Sequence, residues 1–122
     1  MQLTLENPDF RYSLRGVNAE GIQVNERLLA RSFILTPNQL VEDWRPRQVG
    51  ELTDADMAGI LAWAPSVVLL GTGTRLQFPS QSVLATCLTH GIGIEVMDNA
   101  AAARTFNVLA TEGRKVVAGF LL

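Results

Sequence analysis

Gly71-Thr72-Gly73, followed by Arg75, is the group of residues in this chain best suited to hold a ligand. Glycine leaves backbone amides uncovered, and arginine pairs with carboxylate or phosphate through a fixed fork of donors. Such a turn can bind an anion, aided by a helix that begins near Ser80. It is neither of the well-defined phosphate motifs. The third glycine of a dinucleotide fingerprint would fall on Leu76, and no lysine follows as in a P-loop. A tight strand-to-helix connection is the other reading of the same residues.

Glu95 lies in a strand-like run between Ile94 and Val96. A carboxylate on a central strand needs a partner or water. Arg104, on the helix that follows, and Arg75 are the candidate partners. A Glu–Arg pair at the carboxyl ends of adjacent strands can line a polar pocket, or it can be a purely structural ion pair. Glu95 can also reach solvent at a sheet edge. His90, the single histidine, falls in the last turn of a helix, where a cation meets the negative end of the dipole. Cys87, the single cysteine, falls on an apolar helix face, as expected of a small buried hydrophobe. No disulfide, metal site, cofactor or catalytic residue is expected from this set. Trp44, Trp63 and Phe78 are candidates for an exposed apolar surface near the pocket, a mark of partner binding.

The elements that must position these residues are legible in the hydrophobic pattern. Phe10 to Val17 reads as a strand ending at the turn Asn18-Ala19-Glu20-Gly21. Ile22 and Val24 alternate with polar residues, and Asn25-Glu26 closes a hairpin onto a strand from Arg27 to Leu35. Pro37 ends that strand, and Gln39 to Trp44 reads as another short one. Thr53-Asp54-Ala55-Asp56 is a capping box. It starts a helix with Met57, Ile60, Leu61 and Ala64 on one face, stopped by Pro65. Val67 to Leu70 is apolar without alternation, as in a strand buried on both faces. Ser80 caps a helix with Val83, Leu84, Cys87 and Leu88 on its apolar face, ended by Gly91. Ile92, Ile94 and Val96 mark the next strand. Asp98 or Asn99 caps a third helix carrying Ala102, Phe106, Leu109 and Ala110, and Val116 to Leu122 is the last strand. Right-handed crossovers make the last three strands largely parallel, with helices covering them.

At 122 residues the chain is one domain, 1–122, with a real core. Its 48% hydrophobic and 18% charged content fits a globular protein rather than a disordered one. A net charge of −2 gives no field that favours nucleic acid. The first eight residues carry no basic region and no long apolar stretch, so neither a secretory signal nor a transit peptide is expected. No run reaches the roughly 20 apolar residues that span a bilayer.

Three segments carry a family resemblance. They are the strand and glycine turn Val67 to Gly73, the strand Gly91 to Asp98, and the helix and strand Ala103 to Leu109 with Glu112 to Ala118. From about Val17 onward the chain resembles the Mth938 domain family. That family includes mitochondrial complex I assembly factor three and the adipogenesis-associated Mth938 domain-containing protein. The resemblance implies an α/β fold with a mixed sheet, a cleft near the glycine turn and a binding role rather than an established reaction. Asn99 stands where threonine is expected, and Phe106 where tyrosine is frequent; the missing hydroxyls argue against catalysis by those positions.

The sequence is thus read as α/β, an amino-terminal β meander followed by α-β-α-β-α-β, with a mixed, partly parallel sheet covered by helices. Its expected function is a non-enzymatic protein-interaction module. It would assist assembly or maturation of a respiratory or other membrane-associated complex, working from the cytoplasm or at the inner membrane through a protein partner. The alternative is a small-molecule or anion binder, or an enzyme, that uses a cleft lined by Gly71, Thr72, Gly73, Arg75, Glu95 and Arg104.

Overall fold

The run Val67–Gly71 is buried along its whole length, and the rest of the molecule is arranged on its two faces. The computed structural model describes residues 10–122; the segment inspected for targeting signals lies outside the described residues. In chain order the strands are β1 (Leu14–Asn18), β2 (Gly21–Val24), β3 (Arg27–Leu29), β4 (Phe33–Leu35) and β5 (Leu40–Val41). A 3-10 turn (Val49–Glu51) then leads to α1 (Asp54–Leu61), β6 (Val67–Gly71), α2 (Gln81–Leu88), β7 (Gly93–Met97), α3 (Asn99–Thr111) and β8 (Val116–Phe120). The order of elements matches the sequence pattern except where the expected strand Arg27 to Leu35 is divided into β3 and β4.

The strands form two sheets, an antiparallel one in the order β1-β2-β3 and a five-stranded one in the order β5-β4-β8-β6-β7. β6 lies between β8 and β7 and is parallel to both, while β4 is antiparallel to β8. Alternation along β6 divides the core. Val67 and Leu69 face α3 and the small sheet, with Phe33, Phe106 and Phe120. Val68 and Leu70 face the α1–α2 side, with Met57, Ile60, Val83 and Cys87. Phe33 and Phe120 stack at 5.0 Å, as their strand register requires.

The expected strand Arg27 to Leu35 is broken between the two sheets. Ser32 is the reason: its Oγ accepts from the Leu122 amide at 2.9 Å, and its carbonyl accepts from the Trp44 amide at 2.8 Å. Residues 30–32 therefore form a corner. The expected strand from Phe10 begins only at Leu14, because the Arg11 and Tyr12 amides bond to the Pro37 carbonyl instead of a ladder. The run from Gln39 keeps only Leu40–Val41, and Asp43 turns the chain away with φ 58°. Leu88 belongs to α2 but is 62% exposed, off the packed face.

Local caps set the helix starts. Thr53 and Asp56 bond reciprocally at the head of α1, and Arg45 Nη2 reaches Asp56 Oδ2 at 2.6 Å. Ser80 Oγ accepts from the Val83 amide in α2, and Asp98 Oδ1 accepts from the Ala101 amide in α3. Asn107 of α3 ties down the small sheet. Its Oδ1 accepts from the Leu14 amide at 2.9 Å and its Nδ2 donates to the Leu14 carbonyl at 2.7 Å.

Candidate functional site

At the carboxyl end of β6 the chain leaves the sheet through Gly71, Thr72 and Gly73. The two glycines do different work. Gly71 is still in β6, where a Cβ would run into the Asn99 side-chain oxygen and lie 2.9 Å from Phe120 Cδ1. Its lack of a side chain serves packing. Gly73 has φ +104° in open space, so it is the residue that needs glycine's backbone freedom.

Thr72 is buried and its hydroxyl is spent inside the loop. It donates to the Arg75 carbonyl at 2.7 Å and accepts from the Gln77 amide at 3.2 Å. The Gly73 amide is occupied as well: it donates to Asn99 Oδ1 at 3.1 Å, and the Asn99 amide returns a bond to the Gly73 carbonyl at 2.8 Å. Asn99 Nδ2 completes the set on the Leu121 carbonyl at 2.9 Å. The expectation of an anion cradled by free glycine amides is corrected here, because the Gly73 amide has a protein partner. Nothing in the spacing of the sequence marks Asn99 as the residue that supplies it.

A cleft of about 720 Å³ opens beside this loop. Its walls come from Thr72 to Arg75, from the β1–β2 turn at Val17 to Ala19, from Arg47 and Gln48, and from Asp98 to Ala100; Leu121 and Leu122 make an apolar wall. Two arginines, Arg47 and Arg75, thus line one cleft together with Asp98. Among the described residues neither Arg47 nor Arg75 forms an ion pair with a carboxylate. Glu51 is nearby, but it accepts from the backbone amide of Arg47 at 3.0 Å, and that bond first, then one from Gln48, holds its carboxyl below the usual range. By contrast, a depression of about 300 Å³ beside β3 carries charges that neutralise each other, Arg27 with Glu42 and Arg31 with Asp43.

The other expected pocket residues are elsewhere. Glu95 is exposed on β7, an edge strand, and among the described residues it pairs with neither Arg75 nor Arg104. Arg104 is exposed and lines a separate depression with Arg15 and Asn107, against β1. Arg47, which the sequence reading missed, takes its place in the cleft. Its only signal was its position in a polar stretch after Pro46.

The three aromatics expected on one surface are separated. Trp44 is half-buried, its ring lying on Gly119, where a Cβ would be 2.7 Å from Trp44 Cη2. Trp63 is 38% exposed at the start of β8, beside Lys115 and Val116. Phe78 is 67% exposed in the loop after the cleft, with Leu76 also exposed. Of the three aromatics, Phe78 is the one that adjoins the cleft, next in the chain to Gln77, which lines it. Cys87 is buried, and burial pushes its thiol pKa up, so it packs as a hydrophobe. His90, expected in the last helical turn, is exposed in the turn just beyond the end of α2, with Nδ1 2.8 Å from the Thr86 carbonyl. No described helix is long and apolar enough to cross a membrane.

Residues 14–121 match the family model described as a protein of unknown function (DUF498/DUF598). A human protein, NADH dehydrogenase (ubiquinone) 1 alpha subcomplex assembly factor 3, is 29% identical over 99 residues. That match covers 80% of this chain and 53% of the human protein, so the chain spans about half the length of this relative. Among solved structures, a Xanthomonas campestris protein determined by NMR is 54% identical with a TM-score of 0.84, covering 99% of this chain and 92% of that one. A Bordetella pertussis protein described as a Mth938-like domain is 28% identical with a TM-score of 0.76, covering 90% of this chain and 85% of that one.

Proposed function

This chain belongs to the DUF498/DUF598 family, and from that footing we propose that it is a non-enzymatic protein-interaction module that assists assembly of a larger complex. The observation that carries the reading is the relationship to a protein named as an assembly factor for NADH dehydrogenase. The exposed pair Leu76 and Phe78 beside the cleft supports it, since apolar side chains held in solvent suit a partner surface. The finer reading is that the module works in the cytoplasm, reaches the inner membrane through its partner, and acts on subunits of a respiratory complex. Deletion of the gene, followed by native gel electrophoresis of membranes, tests it. Loss of assembled NADH dehydrogenase is expected, restored by the wild-type chain and less well by Phe78→Ala. Full assembly in the deletion strain would overturn the respiratory role.

A second reading is favoured by one observation: Arg47 and Arg75 line the cleft without a carboxylate partner among the described residues. With the apolar wall of Leu121 and Leu122, this arrangement suits an organic anion that carries a short hydrocarbon part. Thermal shift with alkyl carboxylates and alkyl phosphates tests it. Stabilisation lost in both Arg47→Ala and Arg75→Ala, and kept in Arg104→Ala, is the expected pattern. Stabilisation unchanged by either cleft substitution would place the anion elsewhere.

A further inference from the structure

β7 ends the order of the five-stranded sheet, and no described strand pairs with its far side. Its backbone polarity follows from the ladder. The Thr72 amide donates to the Met97 carbonyl at 2.9 Å, and Gly71 is the register partner of Met97. Met97, Glu95 and Gly93 therefore turn their amides and carbonyls toward β6. Those of Ile94 and Val96 face outward, because successive residues alternate. A row of outward donors and acceptors is a template for another strand.

The side chains along this edge sort by face. Ile92, Ile94 and Val96 are half-buried on the α2 face of the sheet. Ser82 bonds to Asp54 of α1 at 2.7 Å, so the side of α2 turned away from α1 overhangs the β7 edge. Helical spacing puts Leu84 and Leu88 on that side, and Leu88 is the exposed one. The opposite face of β7 carries Glu95, the single charge in the strand, exposed to solvent.

We propose that the β7 edge accepts an extended strand from a protein partner, with a basic residue opposite Glu95 and apolar residues on either side of it. Strand addition of this kind takes affinity from main-chain hydrogen bonds and selectivity from alternate side chains. A second copy of this chain fits poorly in the register that makes fullest use of this edge. In the antiparallel register that uses the outward groups of both Ile94 and Val96, Glu95 would lie directly opposite Glu95 of the other copy, and like charges there repel. A base at that position turns the repulsion into attraction, while apolar neighbours continue the strip beneath Leu84 and Leu88. The inference deepens the interaction-module reading, and its assay reads the edge itself, whatever complex the module serves.

The test is backbone amide NMR of the full chain titrated with two capped peptides, Ser-Thr-Val-Arg-Val-Thr-Ser and its counterpart with glutamate at the centre. The arginine peptide is expected to shift and protect the Ile94 and Val96 amides, with Glu95 less affected, and to bind about fivefold tighter than the glutamate peptide. Val96→Pro removes an outward amide that the native ladder does not use, and is expected to abolish binding. Glu95→Lys keeps the backbone intact and is expected to reverse the preference, so the proposal does not depend on the proline variant folding. Equal binding of both peptides, shifts confined to the cleft or the β5 edge, or no shift of Ile94 and Val96 at roughly millimolar peptide would overturn it.

Discussion

Gly73 and Asn99 hold each other by two hydrogen bonds, the Gly73 amide to Asn99 Oδ1 and the Asn99 amide to the Gly73 carbonyl. Since Asn99 Nδ2 also bonds to Leu121, one amide side chain joins the loop after β6, the start of α3 and the end of the chain. These segments form three walls of the cleft.

Asn99→Ala leaves the Gly73 amide and the Leu121 carbonyl without this partner. At a site only 3% exposed, the expected loss is about 2–3 kcal/mol. Urea denaturation measures it. A loss under about 0.5 kcal/mol would mean that water replaces the side chain without penalty.

Gly71→Ala and Gly73→Ala are both expected to destabilise, for different reasons. The first overpacks against Asn99 and Phe120 and costs about 1–3 kcal/mol. The second strains the backbone at φ +104° with no steric contact, costing about 1 kcal/mol or more. A double-mutant cycle separates them. Gly71→Ala is expected to be non-additive with Asn99→Ala, whose truncation removes the clashing oxygen. Strict additivity would show that the Asn99 clash is not the source of the cost.

Trp44 and Gly119 form a knob and its seat. Gly119→Ala pushes a methyl group into the indole and is expected to displace the ring, seen as a red shift of its fluorescence in a Trp63→Phe background. Trp44→Leu combined with Gly119→Ala is expected to recover part of the lost stability. An unchanged spectrum would argue against this contact.

Asp56 accepts from Thr53 and pairs with Arg45, and its carboxylate side chain is only 9% exposed. Desolvation raises its pKa, but the bonds from Arg45 and Thr53 outweigh it, and the net shift is downward. A carboxyl lowered on folding contributes stability that is present above its unfolded value near 4 and is lost as pH falls through the lower folded value. Wild-type protein is therefore expected to lose stability below about pH 4, and Asp56→Asn to lose less over the same range. At neutral pH that substitution is expected to cost about 1 kcal/mol, as for a weakened cap. Parallel melting curves across pH for both proteins would refute the assignment.

The elements were largely legible because their signals are local. Thr53 with Asp56, Ser80 and Asp98 each mark a helix start within four residues, and the unbroken apolar run Val67 to Leu70 marks the central strand. The misreadings come from partners distant in sequence. Ser32 makes its corner through Leu122, 90 residues away, so nothing local breaks the apparent strand. The apolar neighbours of Glu95 leave both a central strand and a sheet edge open, and only the sheet order, which places β7 last, decides for the edge. In the cleft, the Thr72–Arg75 loop was visible from its glycines, whereas Arg47 and Asn99 enter through tertiary contacts that no periodicity encodes.

Asn107 and Leu14 are 93 residues apart, and their paired bonds set an order of events during synthesis. The hairpin of β1 and β2 leaves the ribosome first, but the side chain that fastens it emerges roughly 5–20 s later at ordinary elongation rates. Over that interval the nascent hairpin has only its own ladder, and a two-stranded hairpin alone is marginal in water. A stalled chain ending before α3 is accordingly expected to exchange its β1 amides freely, and one that includes the helix and β8 to protect them.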